Sequence, residues 1–387
     1  MLLLFAFLFS NASISQDQGY KFEKVADLPA TSVKNQFSSG TCWNFAGLSF
    51  LESELMRLHR GEYDLSEMFI VRYTYLEKAI RYVRYHGHIN FSSGGAFHDV
   101  TYIIKKYGIV PEEVYPGLNY GTEKHQHGEL DAILKAYVDA VIRNHNKELT
   151  TAWQRGFEAI LDAYLGPVPE NFTYKGKKYT PETFAEGLSL NTDDYVTITS
   201  FTHHPFYEEF ILELPDNWLH GKAYNVPLNE LEQIVQYSLK NGYTAAWATD
   251  VSEKGFSRSN GLAIVPDFQI ESLEGTEQER WERLSQAERD KEIYTFDEPV
   301  KEKEITQEIR QIAFDNYSTT DDHGMHITGL YKDQNGTLYY LTKNSWDVNN
   351  PYDGYLYASS TFFNYKTTNI MVHKNGIPKS IAKKLDL

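Results

Sequence analysis

The chain has 387 residues, of which 41% are hydrophobic and 14% are aromatic. This composition supplies enough apolar surface for two or three folded units and excludes a disordered or fibrous chain. With 37 basic and 53 acidic side chains the formal net charge is −16, so we expect no nucleic acid partner and no anionic membrane partner. The single cysteine excludes an internal disulfide and a zinc site built from cysteines. Its thiol therefore serves either packing or chemistry.

The N-terminus begins with the apolar run Met1–Ser10, and Ser13 and Ser15 have the small-x-small spacing that precedes signal-peptide cleavage. We therefore expect a signal peptide over residues 1–15 and export of the mature chain. The alternatives are a buried N-terminal strand and a cytoplasmic protein. No later stretch approaches the ~18 consecutive apolar residues that a membrane span needs, so we expect none in the mature chain.

Residues 16–118 have the pattern of a helical unit. Apolar residues recur at three- and four-residue steps after Cys42, which predicts a helix that begins at this cysteine. Asp64 or Ser66 could cap a second helix, and a third is expected between Gly94-Gly95 and Gly108. We expect this segment to be a catalytic lobe that carries the thiol.

The rest of the chain changes character twice. Residues 119–225 are charged and mainly helical, apart from a strand-like alternation at 193–201, and this segment is expected to be an insertion that serves specificity or assembly. Residues 226–387 are expected to be β-rich, with strands at Tyr243–Val251, His323–Tyr331, Leu338–Asn344 and Gly354–Ala358. A helical half joined to a β-rich half predicts an α+β protein with a cleft between the halves.

The loop Asn35–Thr41 delivers Cys42 to the start of an amphipathic helix. Unpaired N–H groups and the positive end of the helix dipole favour a thiolate there over a thiol. A solitary cysteine is most often a core residue, but this placement favours a nucleophile paired with a protonated histidine. Gln36 lies six residues earlier, where its side-chain amide would join the Cys42 N–H in binding an oxyanion.

Two histidines, His323 and His326, compete for the role of base, because strand alternation places them on opposite faces. The pattern favours His323, which enters the strand ahead of alternating apolar residues, and predicts that His326 is packed or on the surface. Asn344 would orient the imidazole through its side-chain oxygen, and Trp346 would shield that hydrogen bond from water. Without the other motifs, the segment from Asn344 to Trp346 would be interpreted as a plain strand end.

These motifs resemble those of the papain-like cysteine peptidases, and more narrowly of the bleomycin hydrolase and aminopeptidase C branch. The matching segments occur in family order: Gln36, Ser39–Trp43, Gly94-Gly95, His323–Met325 and Asn344–Trp346. The resemblance implies a two-lobed papain-like α+β fold, with a helical N-terminal lobe, a β-barrel-like C-terminal lobe and a large helical insertion.

The resemblance also implies thiol-dependent hydrolysis of a peptide substrate, with no metal and no cofactor. Carried over by position, Cys42 is the nucleophile, His323 the base, Asn344 the orienting residue and Gln36 the oxyanion donor. In the same way, Gly94, Gly95 and Trp346 are expected to form the substrate-binding wall. The branch further implies a homo-oligomer, namely a hexamer.

The cleavage mode is left open by the C-terminus. In this branch an arm beyond a segment like Ile377–Ile381 enters the cleft, and its terminal carboxylate limits cleavage to the first substrate residue. The present sequence stops at Leu387, short of that arm. The favoured hypothesis is an aminopeptidase that places another carboxylate in the cleft, from the acidic insertion. The alternatives are an endopeptidase with an open cleft, a non-catalytic peptide-binding protein, and another acyl-transfer enzyme.

Overall fold

A computed structural model describes residues 19–145 and 147–387. The predicted signal peptide, residues 1–15, lies outside the described residues, so it and export stay predictions. The α-helices are α1 Cys42–Arg57, α2 Glu67–Arg84, α3 Phe97–Tyr107, α4 Gly128–Ile142, α5 Ala152–Leu165, α6 Pro181–Leu188, α7 Leu228–Lys240, α8 Gly275–Arg283, α9 Gln286–Ile293, α10 Gln307–Asp315, α11 Ser360–Lys366 and α12 Lys379–Ala382.

The strands are β1 Glu23–Asp27, β2 Phe172–Tyr174, β3 Lys177–Tyr179, β4 Tyr195–Thr199, β5 Glu209–Ile211, β6 Lys222–Asn225, β7 Ala245–Thr249, β8 Phe256–Ser257, β9 Leu262–Ala263, β10 His323–Lys332, β11 Leu338–Lys343, β12 Tyr355–Ser359 and β13 Thr367–His373. The α+β class and the three N-terminal helices predicted from the sequence are thereby confirmed. Of the two candidate caps of the second helix, Asp64 and Ser66, the structure selects Ser66, whose hydroxyl accepts a hydrogen bond from the Phe69 N–H at 3.1 Å.

One large sheet carries most of the strands, in the order β5-β6-β4-β13-β7-β10-β11-β12-β9-β8, with β1 also paired to β10. Strand β10 lies near the middle and is antiparallel to both β7 and β11. His323 lies opposite Thr249 at one end of β10, and His326 lies opposite Lys343. The centre of the sheet therefore positions both candidate histidines.

The predicted insertion, residues 119–225, divides between the two halves of the molecule. Helices α4, α5 and α6 share one apolar core with α1, α2 and α3. Strands β4, β5 and β6 instead extend the large sheet, because the alternation at 195–199 pairs with β13. The sheet therefore begins before residue 226, where the sequence analysis placed the start of the β-rich lobe.

The helical half meets the sheet where α1 packs across β10. A Cβ atom added to Gly324 would lie 3.1 Å from the Trp43 Cα and 3.2 Å from the Trp43 N. A side chain at this position would make a tighter contact than most Cβ atoms make, so glycine favours the close approach of the strand to the first helical turn. The contact fixes the distance between Cys42 and His323, which flank it in the two elements.

From Gly19 onward, in the part of the chain that the structure describes, no helix combines the length and the apolar character that a bilayer span requires.

Replacing Gly324 by alanine tests the close approach of α1 to β10. The added methyl group would press on helix backbone rather than on a flexible side chain, so we expect the free energy of unfolding to fall by about 1–3 kcal/mol in urea titrations. The matched control is Gly187→Ala in α6, where a new Cβ meets no atom within 4 Å and should stabilise the helix by up to about 1 kcal/mol. Wild-type stability of Gly324→Ala would contradict this account.

Candidate active site

A cavity of about 340 Å³ lies between the first turn of α1, the segment before α3 and the ends of β7, β10 and β13. Six of the seven site residues predicted from the sequence line it: Gln36, Cys42, Gly94, Gly95, His323 and Trp346. The seventh, Asn344, lies behind His323 and bonds to its ring. Residues separated by about three hundred positions in the chain are thus brought to one site.

The His323 ring is held by a hydrogen bond at one nitrogen and by an aromatic ring stacked on one face. Its Nε2 lies 2.8 Å from the Asn344 Oδ1, an oxygen that also accepts a hydrogen bond from the Ser345 N–H at 2.7 Å. Because an amide oxygen can only accept, Nε2 carries the proton and Nδ1 is left with a free lone pair. The Trp346 ring stacks on the imidazole with centroids 4.2 Å apart and shields the bond to Asn344. His323 is 4% exposed.

Cys42 is the first residue of α1, and its side chain is partly exposed to the cavity. No side chain caps this turn, so the Cys42 N–H at its start is not taken up by a capping side chain. The loop before it turns at Gly40, which has φ +66° and where a Cβ would lie 2.2 Å from the Ser93 Oγ. Glycine is therefore needed to bring the thiol beside the segment before α3.

Burial favours the neutral form of both groups in the substrate-free site. It raises the pKa of the Cys42 thiol to about 12, while the Gly324 N–H lowers this pKa and the negative charge of Asp321 raises it further. Burial also lowers the pKa of His323 to about 4, although the bond to Asn344 raises it. These shifts oppose the thiolate–imidazolium pair expected from the helix start.

Gln36 is 6% exposed and is positioned by Ser345. The Ser345 hydroxyl donates to the Gln36 Oε1 at 2.7 Å, and the Gln36 N–H donates to the Ser345 carbonyl at 2.9 Å. Because the amide oxygen is occupied, the NH₂ end is the one left for a ligand. The role of Ser345 was not predicted, although it lies between two predicted site residues.

Gly94 and Gly95 line the cavity together with the start of β10, and their role in binding the substrate backbone stays a prediction. The ammonium of Lys78, which is 1% exposed, holds this segment by donating to the carbonyls of Ser92 (2.8 Å) and Gly94. A Cβ on Gly95 would lie 2.8 Å from the Trp43 ring. The sequence did not single out Lys78, because a lysine within an amphipathic helix is normally read as exposed.

Three carboxylates that the sequence analysis did not name, Asp216, Asp321 and Asp322, also line the cavity, and the described lining residues include no lysine or arginine. Burial raises the pKa of Asp321 to about 7, and the charge of Asp216 adds to this. The Asp322 side chain accepts a hydrogen bond from the Val251 N–H at 2.9 Å. With three acidic side chains and no basic one among its described lining residues, the cavity suits a cationic ligand group.

His326 lies on the other face of β10, as predicted, and is fully buried against α1. Its Nδ1 lies 2.9 Å from the Ser49 Oγ, which also accepts a hydrogen bond from the buried Lys343 ammonium at 2.8 Å. The same ammonium donates to the Thr31 hydroxyl at 3.0 Å. This polar cluster fastens the end of β11 to α1, directly before Asn344.

One group of described residues has the composition of a metal site. Ligand atoms of His203, His204 and Glu213 lie within 4.8 Å of one another, but these residues do not line the cavity. The Gln311 amide nitrogen donates to the His203 Nδ1 at 3.1 Å, so the proton of this ring is on Nε2, 3.1 Å from Glu213. The group is therefore satisfied by hydrogen bonds.

Comparison with known proteins agrees with this geometry. The sequence profile of the peptidase C1-like family matches residues 8–290 and 273–387. Mitochondrial cysteine proteinase 1 of Saccharomyces cerevisiae (strain YJM789) is 24% identical over 97% of this chain and 82% of its own length. Aminopeptidase G of Lactobacillus delbrueckii subsp. lactis is 23% identical over 91% of this chain and 83% of its own.

A solved structure is similar over nearly the whole chain. PepW from Lactobacillus rhamnosis HN001 matches 94% of this chain and 84% of its own, with a TM-score of 0.70 and 18% sequence identity. At this identity the match shows the fold alone. The shared fold is the α+β papain-like fold that the sequence resemblance implied.

The lowered pKa of His323 predicts that its ring stays neutral down to about pH 4 in the substrate-free protein. Carbon-labelled histidine followed by NMR from pH 3 to 9 measures this directly, and the signal is assigned by its loss in His323→Ala. Circular dichroism over the same range confirms that the fold persists. A midpoint at or above the ordinary value near 6.5 would instead indicate a protonated ring paired with a thiolate.

Proposed function

The chain belongs to the peptidase C1-like family and is a cysteine peptidase, and from this premise we propose that it is an aminopeptidase that acts through Cys42, His323, Asn344 and Gln36. The observation that carries the proposal is the hydrogen bond from the His323 Nε2 to Asn344, which leaves Nδ1 as the basic atom in the cavity that Cys42 lines.

The reaction begins with the neutral pair. As the Cys42 Sγ attacks the scissile carbonyl, its proton moves to the His323 Nδ1, an S–C bond forms and the carbonyl π electrons move onto oxygen. The tetrahedral intermediate collapses by breaking the C–N bond, and the imidazolium gives its proton to the leaving amine. Water then adds to the thioester while His323 accepts its proton. Collapse returns that proton to the sulfur and releases the acid.

The oxyanion needs donors that are in place before it forms. The Gln36 NH₂ is directed toward the cavity by the hydrogen bond that its oxygen accepts from Ser345. The backbone N–H of Cys42 at the uncapped start of α1 supplies the second donor. Asn344 acts on the ring of His323 rather than on the substrate, whereas Trp346 stacks on that ring and also lines the cavity.

Cleavage at the N-terminal residue is supported by two observations. Two of the relatives are named aminopeptidase C and aminopeptidase G. In addition, the cavity walls carry three carboxylates, which suit the positive α-ammonium of a peptide rather than an uncharged internal segment. Export through residues 1–15 and a homo-oligomeric assembly belong to the same proposal and are tested by N-terminal sequencing and light scattering.

Removal of the nucleophile tests the enzyme class. We expect Cys42→Ala to lower kcat/KM for a peptide by roughly 10⁴-fold or more, since the thioester route is lost. Because the chain has one cysteine, alkylation by iodoacetamide tests the same residue chemically. The reagent should add one label to the wild type and abolish its cleavage of the peptide. It should leave the mass of Cys42→Ala unchanged. Cleavage that survives either treatment in purified protein would end the assignment.

The Gln36 donor and the Ser345 hydroxyl that positions it make a second test. Gln36→Ala should lower kcat by about 100–1,000-fold. Ser345→Ala should lower kcat by about 2–10-fold, because it releases the Gln36 amide from one hydrogen bond. If Ser345 acts through Gln36, the double variant will be no slower than Gln36→Ala alone. Fully multiplicative losses would show that Ser345 acts independently.

A further inference from the structure

The loop between β5 and β6, residues 212–221, reaches from the edge of the sheet to the catalytic cavity. Its Asp216 is the residue of this loop that lines the cavity. A Cβ atom built on Gly94 would lie 1.9 Å from the Asp216 Oδ2, so the carboxylate occupies the space directly over this glycine. It therefore closes the cleft along the wall where the substrate backbone is expected to lie.

Hydrogen bonds from the two residues that follow Asp216 hold the loop in place. The Asn217 side chain, 7% exposed, donates to the carbonyls of Leu212 and Gly221 at 2.9 Å each. The Trp218 indole, 2% exposed, donates to the Asp99 Oδ2 at 2.7 Å. Because Asp99 belongs to α3, the loop is fastened to the helical half as well as to the sheet.

The two oxygens of Asp216 have different surroundings. Oδ1 accepts hydrogen bonds from the Asn90 amide at 2.8 Å and the Ser92 hydroxyl at 3.1 Å. No hydrogen bond to Oδ2 occurs within residues 19–145 and 147–387, and this oxygen faces Gly94. Asp321 is a second carboxyl group that lines the same cavity, and its raised pKa of about 7 leaves it partly charged at neutral pH. A substrate ammonium would find an oriented acceptor here.

We propose that Asp216 is the residue that restricts cleavage to the first peptide bond: its carboxylate binds the α-ammonium of the substrate and blocks the cleft beyond Gly94. The inference rests on the proposed function and names the specificity determinant of the same site. The N-terminal residue then lies beside Cys42, and a longer or acetylated N-terminal extension would collide with the loop.

Two variants of Asp216 separate the effect of its negative charge from the effect of its side-chain volume. Asp216→Asn keeps the shape and the bonds to Asn90 and Ser92 but loses the charge, whereas Asp216→Ala also opens the space over Gly94. The control is Glu209→Gln on β5, which removes one negative charge from an exposed residue outside the cavity. Active sites are counted by iodoacetamide labelling, and kcat and KM are normalised to that count.

Three pentapeptides serve as probes: Leu-Ala-Ala-Phe-Ala with a free N-terminus, its acetylated form, and an acetylated peptide that carries lysine one residue before the scissile residue. Products are identified by mass spectrometry. Asp216→Asn should lower kcat/KM for the free peptide by roughly 10–100-fold, mainly through KM, since an ionic hydrogen bond to the bound substrate is lost. Asp216→Ala should in addition raise cleavage of the acetylated peptide. Glu209→Gln should behave as wild type.

An unchanged preference for the free peptide in both Asp216 variants would overturn the inference while leaving the proposed aminopeptidase intact. A second outcome would also overturn it: the wild type cleaves the acetylated lysine peptide, and Asp216→Asn no longer does. Asp216 would then bind a side-chain ammonium rather than the α-ammonium. Equal internal cleavage of free and acetylated peptides by the wild type would instead refute the proposed function itself.

Discussion

The structure depends on one backbone contact, between the first turn of α1 and Gly324 of β10. A helix and a central strand rarely pack closely enough for a strand residue to touch helix backbone, and the missing side chain of Gly324 makes this possible. On one side of the contact is the thiol of Cys42, and on the other is the imidazole of His323. The apolar cores of both halves serve to hold these two elements against each other.

The polar groups behind the contact explain why it is specific. Lys343, Ser49 and His326 are buried where α1 crosses the sheet, and the lysine bonds directly to the helix. A buried ammonium is costly unless its hydrogen bonds are made, so this cluster tolerates only one register of α1 on the sheet. The same register places Asn344 behind His323 and Ser345 beside Gln36.

The sequence was most informative where a local pattern and a chemical role coincide. Cys42 at a helix start, the alternation that separates His323 from His326, and the cap at Ser66 are all visible within a few neighbouring residues. By contrast, Lys78 and Asp216 act through groups distant in the chain, and both are ordinary charged residues in charged segments. The strands β4 to β6 were assigned to the insertion because pairing with β13 is a long-range choice that short strands do not encode. The neutral state of the thiol and imidazole also depends on burial, which composition does not reveal.

The partly exposed thiol at the end of this cavity has a consequence for redox chemistry. If an oxidant converts the sulfur to a sulfenic acid, the chain offers no second cysteine with which to form an internal disulfide. Recovery must then come from a small thiol that enters this cavity, where acidic side chains such as Asp216 disfavour a negatively charged one such as glutathione. Reactivation by a neutral thiol should therefore be faster than reactivation by an anionic thiol of equal strength.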